Sequence, residues 1–384
     1  MRTKHLAILV AAVSIYSLTA CSGSSGTAAE AELVADLSVD ATFIDCDAAD
    51  VEPAGCIGAG TEGTYTSLAA NEVTQPWELC STVPHLKDPL WIAYNYGQTI
   101  EAQRLGVGIT LTDVGGYENV TEQVTQIEDC VTQGADAILV GAVSEDALNP
   151  AIEAAEASGV LVLDVGNGVT TPEVSGHAIV DYYDMGAVVG KYLADSGEAL
   201  KVSVLPGPAG AGWAERSLLG IQDAIADSDV EIVDLKYGDT GREVQLQLVE
   251  DTLAANPDID AIIGTAVTLD VAATVLAERG LTESIALYGT YIIPSTMGLI
   301  EAGTATCAPT EQPVMTSRIA VDMAVRLLEG KTIEHNAERV GPQPLLVCGP
   351  SAGDDDNLDT FDSTTSFAVD DWAVASRIDA TVEN

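Results

Sequence analysis

The chain is 384 residues long and carries 59 Asp and Glu against 15 Lys and Arg, a formal net charge of −44. A surface this acidic repels phosphate backbones and excludes nucleic acid as a partner. Hydrophobic residues still make up 47%, too many for a disordered acidic chain, so the charge is a solvated coat on folded domains.

The first twenty residues address the chain for export. Arg2 and Lys4 precede an apolar run from Leu6 to Ile15, and Leu18-Thr19-Ala20 leads to Cys21. A basic head, a short apolar core and small residues at the cut form a secretory signal. The run is too short for a stable membrane-spanning helix. The cut site is similar to the lipobox of bacterial lipoproteins, so residues 1–20 are expected to be removed and Cys21 acylated, anchoring the exported chain to the membrane. Ser22-Gly23-Ser24-Ser25-Gly26-Thr27 has the composition of a flexible tether. Residues 21–75 read as that tether plus an N-terminal extension of weak periodicity. Beyond Cys21 lie Cys46, Cys56, Cys80, Cys130, Cys307 and Cys348. An even number in an exported chain predicts disulfides. Cys46 and Cys56 enclose a short loop and are expected to pair; the other partners are open.

From Trp77 onward short apolar runs alternate with amphipathic stretches. Strands are expected at 77–83, 108–114, 137–140 and 160–165, with helices at 91–104, 120–133 and 147–158 between them. The rhythm repeats in a second half. Strands are expected there at 202–205, 232–235, 261–263 and 285–288, with helices at 185–193, 215–226, 244–255, 269–279, 294–301 and 317–328. Such alternation gives an α/β fold of doubly wound parallel sheets. Two similar halves predict two lobes with a hinge and a ligand cleft. The acidic stretch 353–366 reads as a surface excursion.

Catalytic and metal-binding patterns are absent. The sequence has no Gly-x-Ser-x-Gly, no His-Glu-x-x-His, no Gly-Lys-Ser/Thr phosphate loop and no Cys-x-x-Cys. No catalytic residue, cofactor or metal is therefore expected. Gly207-Pro208-Ala209-Gly210-Ala211-Gly212 follows a strand, but it lacks the dinucleotide spacing and Trp213 would crowd a pyrophosphate. Trp213 is placed at the cleft rim instead. Aromatic residues are scarce at 5%, yet Trp91, Tyr117, Tyr182 and Tyr291 each fall just after an expected strand. In wound sheets those positions face the ligand, and ring faces attract methylated ammonium groups.

The order of elements from Trp77 to Val347 resembles the type I periplasmic binding proteins, the class of ribose-type receptors. The marks are Asn167 within Asp164-Val165-Gly166-Asn167, Asp181 before a helix with Gly186 and Gly190, and Gln312-Pro313 before the last helix. The resemblance implies lobe 1 at 76–178 plus 312–334, lobe 2 at 179–311 plus 335–384 with a C-terminal tail, and a hinge near residues 178, 311 and 335. Three sugar contacts depart from the ribose pattern. Thr265-Ala266 stands for Asn-Asp, Gly289-Thr290-Tyr291 for Gly-Phe-Asp, and Ser217 for an Arg.

These departures resemble the TorT branch of the family, which binds trimethylamine N-oxide and works with a sensor histidine kinase. Pro84-His85-Leu86-Lys87-Asp88-Pro89-Leu90-Trp91, Asn95-Tyr96-Gly97, Gly115-Gly116-Tyr117, Pro206-Gly207-Pro208, Gly238-Asp239 and Gly264-Thr265-Ala266 carry the likeness. It implies a Cys80–Cys130 disulfide, which leaves Cys307 with Cys348. It also implies ligand contacts from Asp88, Trp91, Tyr117 and Tyr291, with Tyr182 where the branch has Trp. The expected ligand set is Asp88, Trp91, Tyr117, Asn167, Tyr182, Trp213, Thr265, Tyr291 and Gln312. The expected function is a lipid-anchored receptor that presents a methylated amine to a sensor kinase or an ABC permease. The alternative is a sugar receptor of an ABC transporter, and catalysis is the least supported class.

Overall fold

The computed structural model describes residues 35–52 and 55–382; the signal segment and Cys21 lie outside them. The chain opens with β1 (Ser38–Ile44) and β2 (Thr61–Thr66), an antiparallel pair, then β3 (Glu78–Val83). Helix α1 (Pro89–Leu105), β4 (Gly108–Asp113), α2 (Val120–Gln133), β5 (Ala137–Val140), α3 (Asn149–Ala157), β6 (Leu161–Val165) and β7 (Gly176–Ala178) follow. The second half runs through α4 (Tyr182–Asp195), β8 (Lys201–Leu205), α5 (Gly212–Ile225), β9 (Glu231–Leu235) and α6 (Arg242–Ala255). It continues with β10 (Ala261–Gly264), α7 (Ala266–Arg279), β11 (Ala286–Gly289), α8 (Pro294–Glu301) and β12 (Cys307–Thr310). Helix α9 (Pro313–Leu328), β13 (Arg339–Pro342), β14 (Leu345–Cys348) and β15 (Arg377–Ile378) complete the chain.

Two sheets result, in the orders β15-β4-β3-β5-β6-β7-β13-β1-β2 and β14-β12-β11-β10-β8-β9. Their centres are parallel and buried on both faces, which is why Ala137-Ile138-Leu139-Val140 is apolar throughout. Leu139 and Leu163 point into one core while Ile138 and Val162 point into the other. Ile262 and Ile263 divide in the same way in the second lobe.

Three features differ from the sequence reading. The extension is a structural part of the first lobe. β1 pairs with β13, Arg104 binds Asp36 at 2.8 Å, and the Tyr65 hydroxyl donates to the buried Asp322 at 2.5 Å. The third crossing falls between β13 and β14, not at residue 335, because β13 pairs in parallel with β7 of the large sheet. The C-terminal segment is not confined to lobe 2. Ser366 shares a hydrogen bond with Thr310, and the chain then returns to lobe 1, where Trp372 packs edge-on against Tyr96 and β15 pairs with β4. Disulfides join Cys46 to Cys56, Cys80 to Cys130 and Cys307 to Cys348. The last two tie β3 to α2 and β12 to β14.

Candidate functional site

The C-terminal strand ends of both lobes face each other, and five aromatic rings meet there. Asp88 caps α1 by accepting the Leu90 N–H at 2.9 Å, and Pro89 begins the helix. That start places Trp91 in the cleft, its ring 4.9 Å from that of Tyr94. Gly141, after β5, lies under the Trp91 ring; a Cβ there would come within 2.7 Å of it. Tyr117 follows β4, and its hydroxyl accepts from Asn167 Nδ2 at 3.1 Å. Asn167 is itself held by donating to the Ala142 carbonyl at 2.9 Å.

The second lobe supplies the facing wall. Trp213 opens α5 with its ring against Gly207, whose φ of +129° and missing Cβ permit the contact. This is the physical use of the small residues in that loop. Tyr182, the first residue of α4, stands 6.4 Å from the Trp213 ring, and Tyr291 stands 6.3 Å from it at 90°. The Tyr291 hydroxyl donates to Asp88 Oδ2 at 3.1 Å, so the two lobes touch across the cleft. The facing rings and carboxylates leave only a small space between them.

A second carboxylate lies at the back of the cage. Glu311 follows β12 at the second crossing and is 1% exposed. Its Oε1 accepts from the hydroxyls of Tyr94 at 3.1 Å and Tyr182 at 3.2 Å. Burial pushes Glu311 up to about 7, with Asp88 adding to the rise and the two tyrosine hydroxyls opposing it. Burial also raises Asp88, against the hydrogen bonds from Leu90 and Tyr291. Desolvation holds the hydroxyls of Tyr117, Tyr182 and Tyr291 in their protonated form. It lowers His85, whose ring meets Tyr117 edge-on at 5.6 Å. Among the described residues no Lys or Arg lines the cage. Nor does any of them bond Glu311 Oε2, Trp213 Nε1 or His85 Nδ1. The cage is therefore aromatic, anionic and still able to make hydrogen bonds.

Seven of the nine expected ligand residues line this space: Asp88, Trp91, Tyr117, Asn167, Tyr182, Trp213 and Tyr291. Thr265 and Gln312 lie outside the lining. Thr265 is buried as the N-cap of α7, accepting from the Thr268 N–H at 3.2 Å. Gln312 adopts φ +50° at the crossing and donates to the Gln343 carbonyl at 3.0 Å, tying the second crossing to the third. His85, Leu90, Thr240 and Glu311 also line the cage and stand outside the expected ligand set. Glu311 was within reach of the rule that strand ends face the ligand, but Cys307-Ala308-Pro309-Thr310 does not read as a strand.

Residues 81–332 match the periplasmic binding protein domain. The chain belongs to the periplasmic binding proteins. It is 33% identical over 285 residues to the periplasmic protein TorT of Escherichia coli K12, covering 73% of this chain and 80% of TorT. An ABC transporter solute binding protein from Bradyrhizobium sp. BTAi1, solved with bound Bis-Tris, is 38% identical with a TM-score of 0.75, covering 88% of this chain and 98% of that one. TorT in its complex with the TorS sensor domain, solved in the presence of TMAO, gives a TM-score of 0.69 at 26% identity, over 78% of this chain and 99% of that one. This is a family of exported solute receptors of the type I fold, and its members bind small molecules.

Proposed function

We propose that this receptor captures a small methylated amine, trimethylamine N-oxide or a relative of it, in the interlobe cage. One observation carries the reading: five aromatic rings surround two buried carboxylates, with no Lys or Arg among the described residues of the lining. Ring faces attract alkylated ammonium, each contact contributing roughly 0.5–2 kcal/mol when desolvated. Asp88 and Glu311 supply the counter-charge. The likeness to TorT, solved with the TorS sensor domain in the presence of TMAO, supports the same chemistry. The loaded receptor would dock on a membrane sensor kinase or an ABC permease, tethered at Cys21 by acylation.

Titration calorimetry with trimethylamine N-oxide, tetramethylammonium, choline and ribose tests this reading. Binding of the amines without ribose is the expected result. Tight ribose binding with no amine response would return the chain to the sugar receptors, where Asp88, Glu311 and Asn167 would hold hydroxyls.

A further inference from the structure

We propose that the ligand site has a second compartment, walled by the N-terminal extension, which takes a hydrogen-bonding arm carried by the ammonium ligand. This inference rests on the amine reading and names the class of ligand within it: an ammonium head on a long polar arm.

Tyr117, Asn167, Tyr182 and Trp213 each line two spaces. On one side of them is the cage. On the other is a chamber larger than the cage. The rings that suit a compact ammonium leave an arm no room in the cage, and the chamber is the adjoining space.

The chamber is built from distant parts of the chain. Gly55 and Ile57 come from the extension, Glu145 from the loop after β5, Asp181 from the first crossing, Arg216 from α5 and Arg339 from β13. Arg216 grips Asp181 through Nε at 3.0 Å and Nη2 at 2.7 Å. Arg339 lies 3.7 Å from the same carboxylate and donates through Nη1 to the Cys56 carbonyl at 3.0 Å. That bond ties Cys56, beside the chamber-lining Gly55 and Ile57, to β13. Two guanidiniums balance two carboxylates here, whereas the cage holds carboxylates alone. The chamber thus suits hydrogen-bonding groups and places no second cation requirement on the ligand. Gly55, Ile57 and Arg339 lie outside the family match at 81–332.

Calorimetry with tetramethylammonium and with (6-hydroxyhexyl)trimethylammonium tests the compartment. The first probe is the head alone and the second adds the arm. Burying the methylenes and bonding the hydroxyl should make the long probe bind about tenfold or more tightly than the short one. Ser144, beside Glu145 in the loop after β5, also lines the chamber, so Ile57→Trp and Ser144→Trp fill it from different walls. Each should weaken the long probe by about tenfold more than it weakens the short one. Equal affinity of the two probes for the unmodified protein would overturn the compartment and leave the cage standing, as would equal losses for both probes in both variants. If neither probe binds, the compartment falls, and the amine reading falls with it only if trimethylamine N-oxide in the same titration also fails to bind.

Discussion

Glu311 gives the sharpest test, because its ionisation is coupled to both stability and binding. It is 1% exposed, and every titratable neighbour that shifts it is a tyrosine hydroxyl or Asp88. Burial raises it from 4.5 to about 7. A carboxyl whose folded pKa is raised holds its proton more tightly in the folded state than in the unfolded one. The associated stability is fully present below the unfolded value and is lost as pH rises through the folded one. The shift corresponds to about 3 kcal/mol lost between roughly pH 4.5 and pH 7. Glu311→Gln keeps the shape and an acceptor for Tyr94 and Tyr182 but does not titrate. In melts of the ligand-free proteins, the variant should therefore gain on the parent as pH rises, and the two should converge near pH 4. An ammonium in the cage favours ionised Glu311, so binding near pH 6 should release a proton. The calorimetric enthalpy should then vary with the ionisation enthalpy of the buffer. The variant should release no proton and bind tetramethylammonium about tenfold to a hundredfold more weakly, the worth of one charge-assisted contact in a desolvated site. Parallel melting curves across the pH range, or full affinity in the variant, would refute this account of the cage.

The remaining expectations are simpler. Tyr291→Phe removes the hydrogen bond to Asp88 across the cleft, so it should cost about 1 kcal/mol of affinity for amines with or without an N-oxide oxygen; a loss confined to the N-oxide in calorimetry would show that the hydroxyl serves the ligand instead. Tyr291→Ala also removes a ring and should lower affinity by about tenfold to a hundredfold. Replacing Cys307 and Cys348 with Ser should lower stability by about 2–4 kcal/mol in denaturant titrations, and an unchanged midpoint would mean the bridge constrains nothing. Cys21→Ser should give an uncleaved or unanchored protein, read by membrane fractionation and by mass spectrometry of the N-terminus; a parent protein without lipid would end the anchoring proposal.

The parts of the fold that were legible share one property: burial on both faces. Ala137 to Val140 and Ala261 to Ile263 are apolar because helices cover both sides of the sheet, and the sequence shows it directly. The strands that escaped notice obey other constraints. β1 and β2 are half exposed, so their apolar residues alternate with Ser, Thr, Asp and Glu. β7 and β13 are short, and Pro309 and Pro342 sit within β12 and β13 at positions that punctuate a sequence. The C-terminal return is held in part by a polar side chain, Asn95, which accepts from the Trp372 indole at 3.0 Å and donates to the Ala375 carbonyl at 2.7 Å. Local sequence carries no trace of a contact made across such a distance. The cage was legible because its aromatics follow strands in a chain poor in aromatics. Glu311 was not, since its strand was missed and one acid among many has no signature. Tyr94, on the helix face beside Trp91, packs on that ring, and its hydroxyl also holds Glu311.

On the proposed reading, the placement of the two carboxylates makes ligand charge and lobe closure a single equilibrium. Asp88 belongs to the first lobe and takes its hydroxyl partner, Tyr291, from the second. Glu311 sits on a crossing and is met by Tyr94 from the first lobe and Tyr182 from the second. Closing the cleft therefore desolvates both acids at once. Removing a carboxylate from water costs several kcal/mol unless a charge compensates it, and neutral hydroxyls compensate only in part. A bound ammonium supplies the missing charge in the closed form alone, because only there do rings from both lobes surround it. A neutral polyol of the same size could satisfy the hydrogen bonds and would leave the electrostatic cost in place. The same two-lobed frame that serves sugar receptors can thus discriminate by charge. The discrimination resides in which partners the closing lobes bring to Asp88 and Glu311, not in the volume they enclose.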